Sequence, residues 1–142
     1  MDWMVNTFKP YIDATYRTLP GRRATWIAGS SMGGLMSLYA LMEYNHVFSR
    51  AAALSPSLWT SPNRLLRMID RAKLRAGTVL YMDYGSEEIM HRKEMRRVYE
   101  RISDRLLDRQ VFLTSRIVPD GTHCEASWEK QIPFFMNVLK YK

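Results

Sequence analysis

The segment Gly29-Ser30-Ser31-Met32-Gly33 sets one serine midway between two glycines. A serine hydroxyl is a poor nucleophile until a neighbouring base takes its proton. This spacing is the sequence form of a nucleophile elbow, a sharp strand-to-helix turn that lifts the hydroxyl above a sheet. Only Ser31 fits the register, because Ser30 has Ala28 rather than glycine two residues before it. Gly29 and Gly33 are expected to flank the turn where a β-carbon would collide with a neighbouring element. The bland alternative is a glycine-rich turn after a strand. An apolar run around Trp26 precedes the motif and a helix-prone stretch, Leu35 to Tyr44, follows it, which is the context an elbow demands. A phosphate-cradling loop is excluded, since neither Gly-Lys-Ser/Thr nor Gly-x-Gly-x-x-Gly occurs here.

A nucleophilic serine needs an imidazole within hydrogen-bond reach and a carboxylate to orient it. His123, in Pro119-Asp120-Gly121-Thr122-His123, leaves a predicted strand at the edge where catalytic groups gather in α/β sheets. His46 reads as a surface turn residue and His91 as a solvated residue in the first turn of an Arg-rich helix. The acid is not fixed by spacing: Asp83, Glu87, Glu88 and Asp120 all lie at or near the same edge. Cys124, beside His123, has no evident activator and reads as packing. The chain order serine, acid, histidine is the one expected of an α/β-hydrolase.

The elements that must position these groups alternate along the chain. Val5, Phe8, Tyr11, Ile12, Tyr16 and Leu19 fall at helical spacing, with Pro10 kinking or restarting that helix. A strand is predicted around Trp26, a helix at Leu35–Tyr44 and a strand at Ala51–Leu54, whose small side chains suit close packing. Ser61-Pro62 reads as an N-cap and first helical position, opening a helix to Arg75. A strand at Thr78–Tyr84, a helix from about Ile89 to Gln110 and a strand at Val111–Val118 follow. The last helix spans Glu125–Leu139, with Trp128, Ile132, Phe135 and Leu139 as its buried stripe and Pro133 as a bend. This alternation predicts an α/β fold with four mainly parallel strands and flanking helices.

At 142 residues the chain, 1–142, is expected to be a single domain. No apolar run approaches the roughly 18 residues of a membrane span. The start, Met1-Asp2-Trp3-Met4, lacks a secretory pattern, although a signal could precede it in a longer parent. The one cysteine excludes an internal disulfide and suits a reducing, cytoplasmic compartment. Three histidines and one cysteine without ligand-like spacing give no case for a metal, and no cofactor is called for. The net charge of +7 comes largely from two helices. Arg64, Arg67, Arg71 and Arg75 share one face. Arg92, Arg96, Arg97, Arg101, Arg105 and Arg109 lie opposite Met95, Val98, Ile102 and Leu106. Both read as solvated surfaces, without the interleaved aromatics that nucleic-acid binding would need.

Several stretches taken together resemble the "putative esterase" family of α/β-hydrolases, which includes enterochelin esterase-like and esterase-D-like enzymes. They are Lys9–Asp13, Tyr16–Pro20, Ile27–Gly34, Ala53–Ser57, Asp83–Glu88, and Gly121-Thr122-His123 with Glu125 and Trp128. The resemblance implies a serine carboxylesterase acting on a small-molecule ester, with Ser31 as nucleophile and His123 as base. It implies Glu88, three residues after the loop glycine, as the acid. The backbone N–H of Met32 would supply one oxyanion donor. Where relatives have Tyr-Pro, this chain has Tyr44-Asn45-His46.

The resemblance covers nearly all of this chain but only the second half of the family's domain, and an earlier loop normally gives the second oxyanion amide. An independent argument agrees. If the four strands lie in sequence order, right-handed crossovers put the intervening helices on one face, and only the last helix is left for the other. The first strand's outer edge then has no partner. The chain is therefore expected to be a truncated piece, part of a split enzyme, or a subunit that covers itself by homo-oligomerising. Its activity alone is expected to be weak or absent. The rival reading is a non-catalytic fragment serving as an assembly or binding module. Substrate identity is not legible from the residues.

Overall fold

The computed structural model describes residues 1–89 and 93–140. Its centre is a four-stranded, wholly parallel sheet in the order β1 (Trp26–Ser30), β2 (Arg50–Leu54), β3 (Val79–Gly85), β4 (Phe112–Val118). Because all strands run the same way, their carboxyl ends share one rim. The loops after Ser30, Leu54, Gly85 and Val118 all leave there.

The predicted alternation holds, with shifts at the ends of elements. Before β1 comes α1 (Lys9–Thr15), preceded by a wider π-helical turn at Met4–Phe8. Pro10 has no N–H to give, and α1 starts with it in the first turn. Val5 is buried there, but Phe8, Tyr11, Tyr16 and Leu19 are exposed, so the helical spacing does not mark a covered face. The helix α2 (Met32–Glu43) begins three residues earlier than the sequence suggests. α3 (Pro62–Arg71) has Pro62 in its first turn and ends before Arg75. Ser61 holds the N-cap position, but its hydroxyl makes no capping bond.

After β3 come α4 (Ser86–Ile89) and α5 (Lys93–Asp108); His91 and Arg92 fall outside the described residues. The last predicted helix is two, α6 (Glu125–Glu129) and α7 (Ile132–Lys140). The break falls just before Pro133, which can enter a first turn but cannot continue a helix already formed. Ile132 is exposed rather than part of the buried stripe, whereas Leu139 is buried.

The sheet is covered unequally. On one face, Leu38, Leu41 and Met42 of α2, Leu65 and Ile69 of α3, and Val98, Ile102 and Leu106 of α5 bury Ala51, Ala53, Leu80 and Met82. On the other, Trp128, Phe135, Val138 and Leu139 cover Ala52, Leu54, Val79 and Tyr81. The Arg50 guanidinium donates to the Leu139 carbonyl and lies over the Trp26 ring, fastening α7 to the sheet. β1 and β4 are the two edges, and Ala28 of β1 and Phe112 of β4 are exposed.

Arg64, Arg67, Arg71, Arg75, Arg96, Arg97 and Arg101 are solvated as expected. Arg105 and Arg109 are not free surface charges. Arg105 pairs with Asp70, and Arg109 donates to the carbonyls of Asp70 at 2.7 Å and Ala72 at 2.6 Å, tying α5 to the end of α3.

At the rim opposite the carboxyl ends, Asn45 and Thr78 are buried and joined by Arg22. The Arg22 guanidinium donates to Asn45 Oδ1 and Thr78 Oγ1, each at 3.0 Å. Asn45 Nδ2 donates to Leu41 O at 3.0 Å, closing a polar knot between the end of α2 and the starts of β1 and β3.

Candidate active site

Ser31 sits between β1 and α2 with φ 55° and ψ −119°, a conformation rarely adopted by a residue with a side chain. Close packing of the flanking backbone imposes it. A β-carbon at Gly29 would stand 2.6 Å from the Gly33 carbonyl carbon, so the strand end and the first helical turn touch directly. The expectation for Gly33 itself is corrected, because a β-carbon there meets nothing within 4 Å. The second crowded position is Gly34, whose β-carbon would lie 2.9 Å from the Leu54 carbonyl oxygen. The small residues of β2 let α2 approach that closely.

Three loops converge on this turn. His123 Nε2 is 2.9 Å from Ser31 Oγ, and His123 Nδ1 is 2.6 Å from Glu88 Oε2. Glu88 enters from the first turn after β3, and its side chain is almost entirely buried, whereas that of His123 is 38% exposed. The loops bearing Glu88 and His123 are held together by a bond from Glu87 N–H to Gly121 O at 3.1 Å. Asp120, with its N–H bonded to Ser86 Oγ at 2.9 Å, is exposed.

The other carboxylates named from the sequence stay apart from the imidazole in the bonds described. Glu87 is exposed. Asp83 is buried within β3, where it accepts from Tyr81 Oη at 2.7 Å and from Ser55 N–H at 3.2 Å. Burial pushes its carboxyl above the usual range, against the pull of those bonds, and the nearby Glu88 charge pushes the same way.

Met32 is the first residue of α2, where backbone N–H groups have no partner within the helix and the helix dipole favours negative charge. Its N–H therefore stands next to the Ser31 hydroxyl on the positive end of a twelve-residue helix.

Residues without an assigned role in the sequence also shape the site. Ser55 Oγ donates to Glu88 Oε1 at 2.6 Å, and Trp128 Nε1 donates to Ser55 Oγ at 2.9 Å. The Trp128 ring stands edge-on to His123 with centroids 4.9 Å apart. Ser57 Oγ is 3.5 Å from Ser31 Oγ, longer than a good hydroxyl hydrogen bond. Trp59, 42% exposed, borders a cleft of about 360 Å³ with Met95, Thr122, Glu87 and His123. The available signals for Ser55 and Ser57 were their place in the Ala53–Ser57 stretch of the family resemblance and their position after a strand at the carboxyl rim.

Cys124 is half-buried at the N-cap of α6. The Thr122 hydroxyl, followed by N–H groups of the helix start, draws its thiol below the usual range, so its surroundings are less inert than its neighbours in sequence suggest. His46 is exposed after α2, as expected. Among the described residues no group of His, Cys, Asp and Glu could hold a metal ion, and no helix is long and apolar enough to cross a membrane.

Comparison with known proteins agrees with this architecture. The chain is 27% identical over 95 residues to the uncharacterized protein YbbA of Bacillus subtilis, a match covering 66% of this chain and 37% of that protein. Among solved structures it is similar to the BES protein from Bacillus cereus, with TM-score 0.78 and 19% identity over 99% of this chain and 55% of that one. It is similar to S-formylglutathione hydrolase FrmB from Staphylococcus aureus, with TM-score 0.72 and 18% identity over 97% and 59% of the two chains. Enterochelin esterase from Shigella flexneri gives TM-score 0.72 and 22% identity over 96% and 34%. The chain thus spans well under two thirds of the length of each of these proteins, and the structural likenesses establish a shared fold. The family model described as "Putative esterase" matches residues 2–135, and the chain belongs to that family.

Proposed function

We propose that this chain carries the triad of a serine carboxylic-ester hydrolase working through an acyl-enzyme. The observation behind the reading is the unbroken chain of contacts Ser31 Oγ to His123 Nε2 at 2.9 Å and His123 Nδ1 to Glu88 Oε2 at 2.6 Å. His123 takes the Ser31 proton as Oγ attacks the ester carbonyl. Glu88 accepts from Nδ1–H, which holds the tautomer that leaves Nε2 free and steadies the imidazolium. The negative charge formed on the carbonyl oxygen falls beside Met32 N–H at the α2 terminus. As the intermediate collapses, His123 returns the proton to the leaving alcohol, and water repeats the sequence to release the acid.

Met32 supplies one oxyanion donor. Loss of one such donor typically costs about 10²–10³ in turnover, so turnover by this chain alone is expected to be weak. The relatives' substrates are not transferred to it. The cleft at Trp59, Met95 and Thr122 supports a small-molecule ester lying against His123.

A fluorophosphonate probe tests the reading, since it needs an activated serine but no substrate match. Labelling is expected in the wild type and in Cys124→Ala, and none in Ser31→Ala or His123→Ala. Absence of labelling in folded wild type overturns the assignment.

A further inference from the structure

We propose that Ser55 is a positioning residue for the Ser31–His123–Glu88 assembly, locked in place by the indole of Trp128; this rests on the hydrolase reading above. Ser55 begins the loop after β2 and is 1% exposed, with φ 41°. Its N–H is fixed on the Asp83 carbonyl at 3.0 Å and on Asp83 Oδ1 at 3.2 Å, so its backbone cannot drift from the β3 end.

The direction of the hydroxyl follows from chemistry. An indole N–H can only donate. At 2.9 Å Trp128 Nε1 therefore occupies a lone pair of Ser55 Oγ, and the single hydroxyl proton turns to Glu88 Oε1 at 2.6 Å. Gly85 N–H donates to that same oxygen at 2.9 Å. With Oε1 held by two donors, Oε2 is the oxygen presented to His123. A glutamate on a four-residue helix has several rotatable bonds and would otherwise place its carboxylate loosely. Trp128 also stands edge-on to the His123 ring, so one side chain bounds the base while fixing the group that fixes the acid.

Two measurements on the intact chain test the idea: the rate of fluorophosphonate labelling at Ser31, and the far-downfield proton resonance of His123 Nδ1–H, which needs no activity. A hydrogen bond to a charged group is stronger than one between neutral groups. Ser55→Ala is therefore expected to slow labelling about ten- to hundredfold and to shift the resonance. Trp128→Phe keeps a ring and removes the donor; it is expected to act in the same direction with smaller size, and it serves where Ser55→Ala does not fold. In a Glu88→Ala background the Ser55→Ala effect is expected to vanish, because Ser55 acts through Glu88. A purely structural Ser55 would instead slow labelling equally in both backgrounds.

Equal slowing overturns the proposal, as do unchanged rates and resonance in both Ser55→Ala and Trp128→Phe. If the wild type shows the resonance but never labels, the hydrolase reading fails. The resonance in the two variants then still decides the role of Ser55.

Discussion

A β-carbon on Gly85 would stand 2.1 Å from the carbonyl oxygen of Gly121, and one on Gly121 would stand 2.7 Å from the Gly85 α-carbon. The end of β3 and the loop after β4 thus meet with no side chain between them. Glu88 follows one contact by three residues and His123 follows the other by two, so their 2.6 Å hydrogen bond depends on this approach. Gly85→Ala and Gly121→Ala are expected to push the loops apart, costing about 1–3 kcal/mol as overpacking and slowing probe labelling of Ser31. Denaturant unfolding and the labelling assay measure the two effects.

The elbow glycines are expected to differ sharply. Gly29→Ala forces a β-carbon into the Gly33 backbone and should destabilise by about 1–3 kcal/mol or more. Gly33→Ala meets open space within a helix, where alanine is favoured over glycine by about 0.5–1 kcal/mol. Its unfolding midpoint should equal or exceed that of the wild type. A strongly destabilised Gly33→Ala would contradict the packing described.

Ser31 holds its hydroxyl in place at the expense of backbone strain. Residues at such angles carry on the order of 1–3 kcal/mol, and glycine carries little of it. Ser31→Gly is expected to be more stable than Ser31→Ala by about 1 kcal/mol or more, although both lack the hydroxyl. Urea melts of the two variants compare them directly.

Asp83 gives a signed pH dependence. Burial raises its carboxyl in the folded chain, so the folded state holds the proton more tightly than the unfolded one. Stability from this group is full below the unfolded carboxylate value of about 3.9. It is lost as pH rises through the folded value. Asp83→Asn removes the ionisation and leaves an oxygen for Ser55 N–H. It is expected to melt higher than the wild type at pH 7, the gap closing toward pH 4. A gap that is unchanged between those pH values would rule out buried charge as the cause.

How far the sequence carried these conclusions differs from residue to residue. The parallel alternation and the approach of Ser31 to His123 were legible, because parallel strands send successive loops to one rim; the strand order was a condition of the argument and is supplied by the structure. The partner of His123 was not legible from spacing. Four carboxylates lie near that rim, and only the local turn after Gly85 decides which one reaches the imidazole. Glu88 came from the family resemblance. The crowding at Gly34 depends on which backbone lies opposite, which no local pattern encodes, whereas the break before Pro133 follows from the proline itself. Ser55 and Trp128 are distant in the chain, and their bond exists only once α6 is laid across β2.

The buried tie of Arg22, Asn45 and Thr78 lies at the far end of the sheet from Ser31. Anchoring and chemistry are therefore assigned to separate poles of the molecule. Of the residues that line the Trp59 cleft, none takes part in the bonds of that tie, so a side-chain change at the cleft leaves the joint at the other end of the strands in place.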